Sequence, residues 1–342
     1  MNYLRKIYHK IPEPVRRIRH DFLALFTKRY WIVRNGIHDV FRMARYSSYL
    51  KSNGTRANQK AKLTYYYHKI EKAMALPKPR PGFGKEWIVA EFIPLLKKYY
   101  SNFGNDDVVG SCCINLHAYT IFNQRLDAPI TNVYKIIEKT LQIIEKPSPN
   151  NVGGAKEVLA EDIKTAASID FSRFVNNRYS IRNFTSVAVD RDLIEKAIQM
   201  AQRTPSVCNR QPWHVYAFYD KQQILEALKH QNGNEGFSQN IQVLLVVAGD
   251  LSSMMSSSER NEIWVDGGMF SMSLVYSLHS LGVGTCCLNL CHNASEEIKL
   301  RRQIRMHPAH SPVMMIAVGH IPERLAVAHS QRKSVKEVLT WG

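Results

Sequence analysis

No apolar run in this 342-residue chain approaches the ~20 residues that a membrane-spanning helix requires. The first residues are charged but hold no continuous apolar stretch, because Pro12, Pro14, Arg16, Arg17 and Arg19 interrupt it, so no cleaved signal peptide is expected. Cysteine is scarce. The six present, Cys112, Cys113, Cys208, Cys286, Cys287 and Cys291, fall partly as adjacent pairs inside apolar runs, which suits reduced thiols in a reducing cytoplasm better than a disulfide framework. RNP, helix-turn-helix and finger signatures are missing, which argues against nucleic acid, and there is no internal repeat. Acidic residues are also few: 29 Asp and Glu stand against 46 Lys and Arg. Most of that deficit lies in residues 1–100, which hold 22 basic and 6 acidic residues, a net +16 of the total +17. The basicity therefore belongs to one half, and points there to an anionic partner or surface, with any membrane contact peripheral and at the inner face.

What is present is enough for a folded protein of two ordinary domains, with 45% hydrophobic residues to fill their cores. The first half reads as helical. Val15, Ile18, Phe22 and Leu25 recur at three-to-four spacing, with Arg16, Arg17 and Arg19 off that stripe. Residues 1–53 thus predict basic helical pieces, either lying on an anionic membrane or polyanion or docked on their own domain. A further helix is expected from Thr55 to Leu76, stopped by the three prolines and two glycines of residues 77–84. Helical periodicity returns over residues 85–100, 107–123 and 131–146. His68 and Glu71 stand one turn apart; with no second metal ligand in view, a structural hydrogen bond or ion pair outweighs a metal or acid/base pair. Residues 147–154 read as a linker, dividing the chain into a basic, mainly α-helical domain at 1–154 and a second domain at 155–342.

The second domain alternates helix and strand. Helices are expected at 155–164, 171–177, 190–202, 221–230, 261–281 and 295–305, and strands at 214–219, 241–248 and 312–319, the last two apolar enough to be buried on both faces. That is an α+β domain. Cys286, Cys287, Cys291 and His292 have the composition of a metal cluster, but they sit on a predicted buried strand, so packing is the better reading and no metal site is expected.

Two signatures lie one helix apart. In Arg178-Tyr-Ser-Ile-Arg182, Arg178, Ser180 and Arg182 alternate with bulkier residues, so an extended chain points two guanidinium forks and a hydroxyl the same way, as a phosphate and a polar ring edge require. In Pro205-Ser-Val-Cys-Asn-Arg-Gln-Pro212, Pro205, Ser206, Asn209 and Gln211 form a loop able to bond a flat heterocycle from backbone and side chain. A long apolar helix ending in Gly282-Val-Gly-Thr-Cys-Cys-Leu-Asn-Leu290 follows.

In this order the motifs resemble the nitroreductase family of FMN-dependent oxidoreductases, over Phe171 to Leu339. The resemblance implies a central mixed sheet flanked by helices, and a homodimer with FMN at its interface. By the same resemblance Arg178, Ser180 and Arg332 hold the phosphate and ribityl end, while Arg182 serves the ring or ribityl. Pro205, Ser206, Asn209 and Gln211 would meet the isoalloxazine across the interface. Asn289 and Leu290 would lie beside N5, where family members commonly carry Gly or Glu-Gly; a leucine there crowds the hydride face. The helix from Asn261 to Leu281 is similar to the family's central dimer helix. The implied reaction passes hydride from NAD(P)H to an organic acceptor in two half-reactions, without a firm catalytic side chain. The alternative is a flavin-fold scaffold with little turnover, anchored by the basic half to a membrane or an anionic glycan intermediate. His68-x-x-Glu71 with the Pro77–Gly84 loop resembles the extension of nitroreductase-like proteins associated with bacterial surface polysaccharide production.

Overall fold

The computed structural model describes residues 13–50, 54–144, 148 and 151–342, with side chains of the first helix described from Arg29 onward. The apolar stripe expected at Val15–Leu25, and Pro147, Pro149 and Asn150 of the expected linker, lie outside the described residues or side chains. Among the rest, α1 (Glu13–Tyr46) is one helix of 34 residues where shorter pieces are expected. It docks on the body rather than standing free: Asn35 Oδ1 accepts from the backbone N–H of Ala294, and the buried Arg42 donates to the carbonyls of Pro308 and His310 and to the Ser311 hydroxyl.

Helix α2 (Arg56–Met74) begins at a capping box in which Thr55 and Asn58 satisfy each other's orphan backbone N–H groups. After the proline-rich stop, Lys85–Trp87 leads into a π-helical turn, Ile88–Phe92, and then into α3 (Ile93–Phe103). Pro94 sits in the first turn of α3, and its missing N–H matches the widened turn before it. Asp106 caps α4 (Asp107–Arg125), and α5 (Thr131–Ile143) completes the group. Leu63, Ile70, Ile88, Phe92, Leu96 and Leu116 are fully buried there, each worth roughly 1.5–3 kcal/mol of apolar transfer. His68 Nδ1 lies 3.0 Å from Glu71 Oε2, and Glu71 also accepts from Asn115, so the pair forms a structural hydrogen bond.

The rest comprises α6 (Ala160–Ala167), α7 (Phe171–Asn176), α8 (Arg191–Ala201), β1 (Trp213–Phe218), α9 (Lys221–Leu228), β2 (Val243–Asp250), α10 (Glu262–Ser280), β3 (Val283–Leu288), α11 (Ala294–Gln303), β4 (His310–His320) and α12 (Val335–Val338). Strands run in the order β1-β2-β4-β3. The sheet is not the mixed one expected. All three ladders are antiparallel, and among the described residues parallel pairing is confined to a bridge between Ser180 and Thr285. Strands buried on both faces read as continuous apolar runs in either direction, so the sequence carries no sign of strand polarity.

Alternation along β2 assigns the two faces. Val243, Leu245 and Val247 pack with Ile194 and Ala197 of α8 and Phe270 and Leu274 of α10; Leu244, Val246 and Ala248 pack with Ile224 of α9 and Leu300 of α11. Gly267 lets α10 approach β4 closely, since a Cβ there would sit 2.8 Å from the Val313 side chain. Its small size serves a contact within the chain, whereas Gly268 faces open space.

Candidate cofactor site

The first signature lies along the outer side of β3. Ile181 donates its backbone N–H to Thr285 O at 2.8 Å, and this pins the segment in an extended form with Ile181 turned into the core and Arg182 exposed. Arg178 and Arg182 both act on the Cys286 thiol: burial pushes that thiol up, and the two guanidiniums pull the other way. Two cations and the half-buried Ser180 are therefore gathered at one sheet edge.

The second signature precedes β1, at the opposite edge. Its geometry is unusual in three residues: Cys208, Asn209 and Gln211 adopt φ of 49°, 52° and 48°, the left-handed region. Strain of this kind, of order 1–3 kcal/mol per residue, persists only where surroundings impose it. Here Ser206 Oγ accepts from Gln211 N at 2.9 Å, and the buried Asp266 of α10 accepts from Val207 N. Arg210 is buried, donates to Ser253 O and Val207 O, and forms a two-point ion pair with Glu259. Burial alone would raise the Glu259 carboxyl, but Arg210 and the Met255 N–H hold it below the usual range. Asp266 gains less from the same arginine; burial, the largest cause, raises it to about 6. Pro205 and Gln211 stay exposed, while Trp213 stacks on Phe270 with ring centres 4.8 Å apart, as a core residue.

Asn289 and Leu290 follow β3 toward the sheet end from which β1 starts. The Asn289 carbonyl accepts from Gln231 Nε2, and Leu290 is half-buried against the core cluster below. The leucine side chain is thus turned onto the protein. Arg332 lies on the exposed tail after β4, with Nη1 donating to Ser330 O, and no described contact joins it to Arg178 or Ser180. Within one chain the two signatures are far apart. Three strand spacings separate β1 from β3 and a fourth reaches Ser180, about 19 Å at ~4.8 Å per strand.

Several site residues carry no mark in the sequence. Arg210 is a spacer inside the second signature, and Glu259 and Asp266 reach the loop from segments about 50 residues away. A polar network at the same sheet end joins His310 Nδ1 to the Tyr216 hydroxyl at 2.7 Å, while Asp250 Oδ2 lies 4.0 Å from His310 Nε2. Burial, the largest cause, pulls His310 down to about 4, so it is neutral at ordinary pH. A cavity of about 350 Å³ lies where Lys60, Thr64 and Tyr67 of α2 and Ser111 of α4 face Asn209 and Gln211. Cys286 is buried, and Cys287 and Cys291 are exposed free thiols. Among the described residues a single trio of metal-ligand types converges, His38, Asp39 and Glu297. Glu297 is already opposed there by Arg42 at 3.7 Å.

An α+β domain with a basic edge strand and a strained amide loop is the class this site defines. Residues 175–242 and 221–320 match the model of the Nitroreductase family. A CLA biosynthesis enone reductase of Lactiplantibacillus plantarum is 27% identical over 115 residues, 32% of this chain and 52% of the relative, so the match spans about half of that protein. The Bacillus subtilis protein YodC, provisionally named an NAD(P)H nitroreductase, is 21% identical over 198 residues, covering 48% of this chain and 95% of its own. An FMN-dependent nitroreductase of Clostridium difficile is similar in structure at a TM-score of 0.42, with 19% identity, over 49% of this chain and 96% of that one.

Proposed function

We propose that this chain is an FMN-dependent oxidoreductase of nitroreductase type, which draws electrons from NAD(P)H and delivers them to an organic acceptor in a second half-reaction. When bound, FMN supplies the hydride chemistry, and the protein supplies binding, orientation and charge. Arg178 and Ser180 hold the phosphate and ribityl end. Arg182 stabilises negative charge on the polar edge of the ring. Ser206, Asn209 and Gln211 present side-chain and backbone groups to the ring, with Pro205 shaping the turn, and Asn289 and Leu290 border its reactive side. Arg332 joins the phosphate group only when the tail folds back against it.

The observation that carries this reading is the separation of the two signatures to opposite sheet edges. A single ring can be clasped by both only if the loop comes from a second copy. The function proposed is therefore that of a homodimer with FMN at its interface, and Trp264, Val265, Met269 and Met272 on α10 offer an exposed apolar stripe at helical spacing for that contact. Within residues 1–154, α2 and α4 belong to a helical module that faces the loop, and residues 155–342 act as the flavin domain. No helix among the described residues is long and apolar enough to cross a membrane. The test is spectral: the purified protein carries FMN absorbance that bleaches anaerobically with NADH or NADPH. Protein that stays colourless, and takes up no added FMN, overturns the proposal.

A further inference from the structure

We infer that the groove between α1 and α11 binds a ligand carrying a pair of neighbouring phosphate groups. The cavity there measures about 820 Å³ and lies apart from both signatures. Arg42 and Arg45 of α1 line one wall, and Arg301, Arg302 and Arg305 the other, with the Phe41 ring, 71% exposed, at the mouth. Against the guanidiniums of Arg42, Arg301, Arg302 and Arg305 stand Glu297, 3.7 Å from Arg42 and 4.0 Å from Arg301, and Asp39 further out. These four against two carboxylates leave the groove a surplus of two positive charges.

That surplus is held at a cost. Arg42 and Arg301 are both largely buried, and burial and mutual repulsion lower the hold of Arg42 on its proton. Their positions are fixed by backbone: Arg42 donates to the carbonyls of Pro308 and His310, and Arg301 to Pro308 O at 2.6 Å. Arg301 Nε is buried with no hydrogen-bond partner, although guanidinium N–H groups are costly to leave unmade. Arg302 and Arg305 are exposed on the rim. Guanidinium groups lining one cavity match phosphate oxygens in geometry and charge. Arg42, Arg301, Arg302 and Arg305 together outnumber what one phosphate needs. Phe41 gives a flat apolar platform at the mouth, suited to a nucleobase or to the acyl region beside a lipid headgroup. The shared chemistry is the diphosphate, and its source is for experiment to decide.

The test uses the full chain and isothermal titration calorimetry with inorganic pyrophosphate, then UDP and ADP, and flotation with phosphatidylcholine vesicles with and without diacylglycerol pyrophosphate. Pyrophosphate is expected to bind, and the double substitution Arg302→Glu with Arg305→Glu to weaken it at least ~tenfold, as loss of charge-assisted contacts requires. Lys135→Glu with Lys139→Glu on α5 makes the same charge change on exposed positions elsewhere and is expected to leave binding within about twofold. Nucleotide binding tighter than pyrophosphate, and lost in Phe41→Ala, assigns a soluble ligand; flotation only with diacylglycerol pyrophosphate, lost in the rim variant, assigns a lipid diphosphate. No binding of any probe, or equal weakening by both double substitutions, overturns the inference. FMN content, read separately, reports folding and the flavin site, so failure here is distinguishable from failure there.

Discussion

Asp266→Asn offers the sharpest quantitative test of how the strained loop is held. Burial raises the Asp266 carboxyl to about 6, against an ordinary 3.8, while its oxygen accepts from Val207 N at 3.2 Å. The folded state then binds the proton more tightly than the unfolded chain, so this group's contribution is fully present below pH ~3.8 and is lost as pH rises through 6. At 1.36 kcal/mol per unit, the ionised group costs about 3 kcal/mol above that window. Asparagine keeps an oxygen for Val207 but brings two N–H donors into a buried place, a loss of about 1–2 kcal/mol. The variant is therefore expected to be less stable than wild type near pH 4 by about 1–2 kcal/mol, and more stable above pH 7 by a similar amount. Urea unfolding at fixed protein concentration measures this crossing, since the proposed dimer would make stability concentration-dependent. A difference that does not change with pH refutes the argument that a buried carboxylate carries the cost of positioning the loop.

His310 acts in the opposite sense. Because burial holds it near 4, the unfolded chain takes up its proton first on acidification, and about 3 kcal/mol of stability is lost between pH 6.5 and 4. The two slopes oppose each other in wild type, so His310→Asn is expected to leave the Asp266 slope visible in the same urea series; an unaltered pH profile speaks against it. Arg178→Ala removes the proposed charge-assisted contact and is expected to weaken FMN binding roughly 10- to 100-fold by fluorescence titration, with the proposed dimer intact by light scattering; undiminished affinity counts against Arg178 as a phosphate ligand. Arg42→Ala strands the buried carbonyl of His310, removes the contact with that of Pro308 and costs about 3 kcal/mol, which protease sensitivity of the chain before residue 46 detects; an unchanged digestion pattern means that α1 is held by other contacts.

Periodicity placed the elements well where one rule operated. The expected helix 190–202 is α8 with Asp190 as its N-cap residue, 261–281 is α10, and the apolar runs at 241–248 and 312–319 became β2 and β4. It failed where two rules competed. The helix expected at 155–164 forms later, at Ala160–Ala167, starting from Leu159 without a side-chain cap, so no local start signal marks its first turn. The positive half-chain reads as a separate module, yet Asn58 Nδ2 donates to Ser252 O and Arg42 to His310 O across the expected boundary. Charge counts carry no information about such hydrogen bonds to backbone carbonyls.

By itself the sequence determined the residue types on which the proposed chemistry depends: alternating Arg178, Ser180 and Arg182, and a Pro-bracketed loop of amides and hydroxyls. Both are local patterns, encoded by neighbours along the chain. Only the tertiary structure decided that the two patterns lie at opposite edges of an antiparallel sheet, and that Asp266 and Arg210–Glu259 lock the loop in its left-handed turn. It likewise brought α1 and α11 together to form the arginine groove. Those relations join residues about 50 to 260 positions apart, and their energies come from burial and geometry, which spacing along the chain does not record.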